Sequence, residues 1–287
     1  MAIQNIGVVG AGQMGAGIAQ VAAMTGFLVH VVDVNASALE KGRAMVASSL
    51  QRFQKKGELS EQDVAQILER MSWSESLKDL LATQFVIEAV PENESLKKKI
   101  LSELNIVLAP DVVIASNTSS ISIARLGKAS GRSERFIGMH FMNPVPRMKL
   151  VEIIRSLATS DQTYQMTAEL AQKMGKTTTL SKDYPGFVAN RILMPMINEA
   201  FFALMEGVAS PTDIDMTMKL GTNQPMGPLQ LADFIGLDTC LAIMEVLHSE
   251  LGDGKYRPCP LLRQYVDAGW VGKKVLQGVY RYEAENN

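Results

Sequence analysis

Cysteine is nearly absent from this chain: Cys240 and Cys259 are the only two in 287 residues. Their separation fits no metal-ligand spacing and two cannot build a disulfide framework, so no metal is expected and no cystine-stapled scaffold. Both are read as buried or half-buried free thiols in a reducing compartment. An excess of either charge is also missing, with 28 Lys and Arg against 30 Asp and Glu. That balance gives no broad basic field for nucleic acid, so an anionic ligand has to be met by a local cluster of cations. No stretch approaches the roughly 20 apolar residues that a membrane span needs. The strand-like run from Ile3 to Val9 has no basic, apolar or cleavage region ahead of it, so no cleaved leader is expected. A soluble, cytoplasmic protein follows from these absences.

A chain of this length predicts two domains. From residue 3 to about 182, apolar runs of strand length alternate with helical patterns. Ile3–Gly10, Leu28–Val32, Phe85–Val90, Val112–Ser116 and Phe136–Phe141 read as strands; Met14–Met24 and Ser95–Leu108 read as helices. Between Ala36 and Arg70 two charged amphipathic helices replace the strands, broken near Gly57. Such a pair is expected to project from the sheet, as packing or as a lid. After Asp183 the pattern is helical throughout, with candidates Phe187–Glu206, Thr212–Leu220, Gly227–Leu251 and Leu261–Ala268. The fold class is therefore α/β: a doubly wound, Rossmann-type domain over 1–183 with a helical-pair insertion, then an all-α domain over 184–287.

The first strand runs into Gly10-Ala11-Gly12-Gln13-Met14-Gly15 and a helix follows. Gly10 permits a tight turn, Gly12 lets the backbone approach a pyrophosphate, and Gly15 lets helix and strand pack closely. The helix N-terminus presents free N–H groups to phosphates. Glycines also recur in ordinary turns, so the context decides: Asp33 ends the second strand 18 residues beyond Gly15. A carboxylate there hydrogen-bonds ribose hydroxyls and repels a 2′-phosphate, which points to NAD rather than NADP.

The chain has three histidines. His30 lies within a strand and His248 on a late helix, and both read as structural. His140 ends an apolar run and precedes the turn Asn143-Pro144-Val145-Pro146; a second apolar run, Leu150–Ile154, contains Glu152. If the runs pair antiparallel about Pro146, Glu152 falls opposite His140. A carboxylate within an apolar strand is costly unless paired, and a His–Glu pair is a tuned general base. An edge-strand Glu beside an unrelated His remains the alternative at this point.

Several segments together resemble the 3-hydroxyacyl-CoA dehydrogenase family, most closely its bacterial 3-hydroxybutyryl-CoA branch. They are Ser116-Asn117-Thr118-Ser119-Ser120, Gly138–Pro144, Lys149–Glu152 and Asp183–Arg191, with the glycine motif and Asp213–Gly227. The resemblance spans essentially the whole chain. It implies NAD-dependent oxidation of a 3-hydroxyacyl-CoA, with His140 and Glu152 as catalytic pair and Ser119 and Asn190 hydrogen-bonding around the substrate oxygens. It also implies that Glu92, Lys97, Ser119, Asn143 and Lys274 lie along the NAD site with the glycine loop. Ser49, Lys56 and Ser119 correspond to coenzyme A contacts, and Arg52 stands where some relatives carry Lys. A homodimer joined through the helical domain is implied as well. The chain departs from the pattern at Met142 (usually Phe), Gln224 (often His) and Arg147 (commonly apolar).

Ser49, Arg52 and Lys56 are spaced by three and four, so they share one helix face; a merely solvated basic face is the alternative. Two other functions stay in view. A β-hydroxyacid dehydrogenase of another class would carry a catalytic Lys early in the helical domain, and Phe187–Glu206 contains none. A non-catalytic NAD-binding structural protein would not need His140 and Glu152.

Overall fold

The computed structural model describes residues 3–283, so the last four positions of the helical region lie outside the described residues. The chain divides into two units, one ending at Tyr184 and one beginning at Pro185. In the first, β1 (Asn5–Val9), β2 (Leu28–Val32), β4 (Phe85–Glu88), β5 (Val113–Ser116) and β6 (Phe136–Phe141) are short, almost wholly apolar and buried. Strands of this kind belong in a parallel sheet covered on both faces. The sheet has eight strands in the order β3-β2-β1-β4-β5-β6-β7-β8, including β3 (Met71–Ser74), β7 (Leu150–Arg155) and β8 (Thr177–Lys182). Neighbours run parallel from β3 to β6; β6 and β7 are antiparallel, and β7 and β8 run parallel to each other.

α1 (Gln13–Met24), α2 (Ala36–Lys55), α3 (Glu61–Glu69) and α6 (Asp161–Lys173) share one core cluster with Ile6, Val8, Ile87 and Ile153 of the strands. α4 (Glu94–Val107) and α5 (Ile123–Ala129) bury Leu101, Leu104, Ile123 and Leu126. Strand order reverses between β1 and β4, and right-handed crossovers then put α4 and α5 on the opposite face. Polar side chains start several of the helices: Asn35 accepts from Ser37 and Ala38 N–H, and Ser60 forms a reciprocal cap with Asp63. Each such cap contributes about 1 kcal/mol.

The helical pair does not project. α2 and α3 form the crossover from β2 to its parallel neighbour β3, and Leu39, Val46, Leu50 and Ile67 pack into the main core. β3 and β8 carry too little apolar patterning to be read as strands; β8 is Thr-Thr-Thr-Leu-Ser-Lys on the exposed sheet edge.

The second unit holds α7 (Ala189–Met205), α8 (Pro211–Gly221), α9 (Pro228–Ile235), α10 (Leu237–Leu251) and α11 (Pro260–Asp267) around a core of Met194, Phe201, Leu229, Met244 and Leu262. The expected helix Gly227–Leu251 is two helices. Gly236, at φ 105°, cannot continue either one, and Leu237 N–H donates instead to the Val271 carbonyl. Both cysteines are free and buried, and burial, with Asp238 and Asp233 nearby, pushes the Cys240 thiol up to about 12. Among the described residues no helix is long and apolar enough to cross a membrane.

Candidate active site

The parallel strands β1, β4, β5 and β6 deliver their following loops to one sheet edge, and the strand-order reversal lies between β1 and β4. In open α/β sheets ligands bind at such an edge. Gly10 there takes φ 104°, and a Cβ on it would sit 2.7 Å from the Ala89 carbonyl oxygen. A Cβ on Gly15 would collide with the Gly10 carbonyl, whereas one on Gly12 meets nothing within 4 Å. The second glycine thus keeps an open face where a diphosphate backbone would approach. Gly12 is also the residue before α1, and no side chain caps that helix, so its first N–H groups are left for a ligand. Asp33 follows β2, where its Oδ2 accepts from Ala11 N–H at 2.9 Å and its Oδ1 from Asn35 N–H at 3.0 Å. Ala11, Gln13 and Met14 complete the loop, and Gln13 Nε2 donates to Asn143 Oδ1 at 3.1 Å.

A buried ionic network fixes the next two loops. Glu88 ends β4 with no solvent exposure; its Oε1 accepts from Lys97 Nζ at 2.7 Å and Val90 N–H at 2.8 Å, its Oε2 from Ser116 Oγ at 2.5 Å. Lys97 also donates to the Val90 carbonyl at 3.0 Å and reaches Glu92 Oε2 at 3.6 Å. Lys97 thus donates two hydrogen bonds, to Glu88 and Val90, and stands at ion-pair distance from Glu92, so it serves the edge from beneath, through Glu92. The other oxygen of Glu92 accepts from Thr118 Oγ1 at 2.6 Å, Ser119 N–H at 2.9 Å and Ser120 N–H at 3.1 Å. Burial alone would raise the Glu92 carboxyl, but Lys97 and the hydrogen bonds from Thr118 and Ser119 outweigh it, and the net direction is down. Ser119 is therefore positioned through both its backbone and its hydroxyl, whose oxygen lies 3.2 Å from Glu92 Oε1.

β6 and β7 pair with His140 opposite Glu152. Nδ1 lies 2.9 Å from Glu152 Oε2, in surroundings that leave Glu152 1% exposed and His140 8%. Asn117, at the end of β5, accepts from Phe141 N–H at 2.9 Å and holds the end of β6 beside the Ser119 loop.

Alongside, α1, α2 and the turn after β6 enclose a groove of about 430 Å³, lined among others by Gly17, Val46, Ser49, Arg52, Asn143 and Pro144. Ser49 and Arg52 both face it; Lys56 is the exposed C-cap of α2, one turn further along. Arg147 directly follows Pro146 in that turn. Its guanidinium sits 4.0 Å above the Phe53 ring and 3.0 Å from each Glu58 oxygen.

Asn190 and Lys274 belong to the second unit. Asn190 is buried in the first turn of α7, three residues after Phe187 at φ 50°; Lys274 pairs with Asp238 at 2.6 Å. Gln224 Nε2 contacts Met196 Sδ at 3.3 Å, and Met142 is half-buried. Sequence reasoning gave no individual role to Glu88, Ser116 or Asn117. Glu88 carried a signal, since it ends an apolar strand as a lone carboxylate; the others look like ordinary turn residues.

Comparison with known proteins covers both units. Residues 5–184 match the NAD-binding domain of 3-hydroxyacyl-CoA dehydrogenase and residues 186–282 its C-terminal domain. A probable 3-hydroxybutyryl-CoA dehydrogenase of Bacillus subtilis is 54% identical over the full length of both chains. The 3-hydroxybutyryl-CoA dehydrogenase of Bradyrhizobium diazoefficiens is 54% identical over 98% of this chain and 96% of its own. The crystal structure of (S)-3-hydroxybutyryl-CoA dehydrogenase from Ralstonia eutropha superposes with a TM-score of 0.96 at 54% identity, covering 99% of this chain and 100% of that one. With both domains matched in order and full-length relatives above half identity, the chain belongs to the 3-hydroxyacyl-CoA dehydrogenase family.

Proposed function

We propose that the chain oxidises a short-chain 3-hydroxyacyl-CoA to the 3-oxoacyl-CoA with NAD, using the His140–Glu152 pair as general base. The observation that carries this reading is the buried pair itself, 2.9 Å from Nδ1 to Oε2, on the sheet edge that also bears the glycine loop. The open face at Gly12, the uncapped start of α1 and Asp33 fit a dinucleotide. When bound, NAD supplies the hydride acceptor.

Because Nδ1 faces the carboxylate, it carries the ring hydrogen and Nε2 is left as the base. His140 takes the C3 hydroxyl proton as oxidation proceeds and returns it in the reverse direction. Glu152 orients the ring and balances the imidazolium formed in turnover. Ser119 and Asn190 fix the substrate oxygens, so that the reacting atoms start within ~3–3.5 Å. Glu92, Asn143 and Lys274 serve the cofactor side, with Lys97 acting through Glu92; Ser49, Arg52 and Lys56 meet coenzyme A. α7 contains no Lys, which weighs against the other hydroxyacid dehydrogenase class.

The test is NADH consumption with 3-oxoacyl-CoA substrates of graded length, expected fastest near four carbons. Absence of turnover at every length would leave only a binding role. The assembly is a homodimer joined through residues beyond 185, supported by exposed Ile192, Val208 and Leu220 on the helical unit. Light scattering at micromolar concentration giving 31.3 kDa, the mass of one chain, would refute it.

A further inference from the structure

Lys176 is buried, at 8% exposure, at the entrance to β8. Its Nζ donates to the Val145 carbonyl at 2.6 Å and the Met148 carbonyl at 2.8 Å. Both carbonyls belong to the turn that joins β6 to β7. Among the described residues no carboxylate pairs with this ammonium; burial alone acts on it and pushes it down. A cation is expensive to bury without a counter-charge, and among the described residues its hydrogen-bond partners are two backbone carbonyls of one loop. Ordinary packing does not call for a charge here, since an apolar side chain of similar length, such as Met, is the usual way to fill a buried site.

The same turn is held elsewhere by close approach. A Cβ on Gly17 of α1 would lie 2.9 Å from Val145 Cβ, so the turn rests directly on that helix. Its first residue, Asn143, accepts from Gln13 of the glycine loop at 3.1 Å. Val145 is 2% exposed, so its carbonyl has no easy access to water if the ammonium is removed. Two carbonyls left without donors would turn outward, and the loop that starts at Asn143 would turn with them.

We propose that Lys176 is a positioning residue for the cofactor side of the site: it locks the 143–148 turn and thereby places Asn143 against the glycine loop. The proposal rests on the reading that this loop and Asn143 face NAD. It differs from a general structural role because its effect runs through one side chain and is read in cofactor binding.

The experiment is a double-mutant cycle on the full-length protein, with NADH as probe and binding read from its fluorescence. Far-UV circular dichroism verifies the fold at the assay temperature. Lys176→Met and Asn143→Ala should each weaken NADH about tenfold, the scale of a lost hydrogen-bonded contact. Together they should weaken it little further, because Lys176→Met already displaces Asn143. Lys176→Met should change kcat at saturating NADH and acetoacetyl-CoA by less than about threefold, which separates positioning from loss of the base. Unchanged NADH affinity in Lys176→Met overturns the proposal, and so does a fully additive, roughly hundredfold loss in the double variant. Should Lys176→Met not fold, Lys176→Gln, whose amide can meet one of the two carbonyls, should fall between; wild-type affinity there overturns it equally. Failure of the underlying reading looks different: the unmutated protein would not bind NADH at all.

Discussion

Glu152 Oε2 lies 2.9 Å from His140 Nδ1 across the antiparallel β6–β7 pair, with only 1% of the glutamate exposed. A carboxylate so deep is costly unless it is paired, and the imidazole meets it. The same contact determines which ring nitrogen is available for chemistry. His140→Gln should therefore lower kcat by about 10²–10⁴-fold, the span of general-base contributions. NADH affinity should hold nearly constant. Glu152→Gln should also lower kcat, by less, since the imidazolium loses its counter-charge and the ring keeps one hydrogen-bonding partner. Steady-state kinetics check both, and more than about a tenth of wild-type turnover in His140→Gln would remove it from proton transfer.

That register was open to inspection in the sequence because strand side chains alternate with period two and the Pro146 turn fixes the offset. The glycine loop and Asp33 were legible for a similar reason: each stands at a fixed distance from an apolar strand end. What the sequence concealed depends on three-dimensional closure. Lys176 meets carbonyls 28 and 31 residues away, and no local pattern announces a Lys bound to backbone oxygen. Nor did the pattern give away β8, since an exposed edge strand of Thr, Ser and Lys has no apolar face to reveal it. The break in Gly227–Leu251 was concealed because a single Gly within apolar helical spacing is usually tolerated.

Asp33 is expected to set cofactor choice. Its two oxygens already accept from Ala11 and Asn35 N–H groups, yet each carboxylate oxygen has a further lone pair for a ribose hydroxyl. NADH should be strongly preferred over NADPH, whose 2′-phosphate would meet the carboxylate. Asp33→Ala should narrow that preference chiefly by weakening NADH, and should do so doubly, because Ala11 N–H in the phosphate-facing loop also loses its acceptor. Dissociation constants for both dinucleotides give the answer; a wild type that favours NADPH would show that Asp33 does not face the ribose.

Glu92 supplies a pH signature. Its folded-state pKa lies below the ordinary 4.5, so the charged form is favoured by folding. Its contribution is then fully present above about pH 4.5 and is lost as pH falls through the depressed value. The stability difference between wild type and Glu92→Gln should be flat from neutrality to about pH 5 and shrink below 4.5. Urea unfolding across that range measures it. A difference that grew on acidification would mean Lys97, Thr118 and Ser119 do not hold the carboxylate.

The last expectation concerns how a chain with 28 cationic and 30 anionic side chains holds an anionic carrier. Arg52 lines the groove beside the 143–146 turn, donates to Ser48 Oγ at 3.2 Å, and has Lys56 one turn on, both exposed. Between them Phe53 is buried under the Arg147 guanidinium, which also pairs with Glu58. Arg147 is thus directed at the end of α2, so its departure from the family pattern is expected to bear on the coenzyme side. Arg52→Glu with Lys56→Glu should raise KM for acetoacetyl-CoA by roughly tenfold, the product of two exposed charge contacts of up to about 1 kcal/mol each. The NADH KM should not move, and kcat should change little, since a contact remote from C3 binds ground and transition states alike. Added salt should weaken thioester binding in the wild type and much less in the double variant. Arg147→Val frees Phe53 and Glu58, so it should raise the thioester KM by a smaller factor and leave the preferred acyl length where it was. An unchanged thioester KM in the double charge reversal would leave these cations a solvated face, and a shift in acyl-length preference in Arg147→Val would move that residue to the acyl pocket.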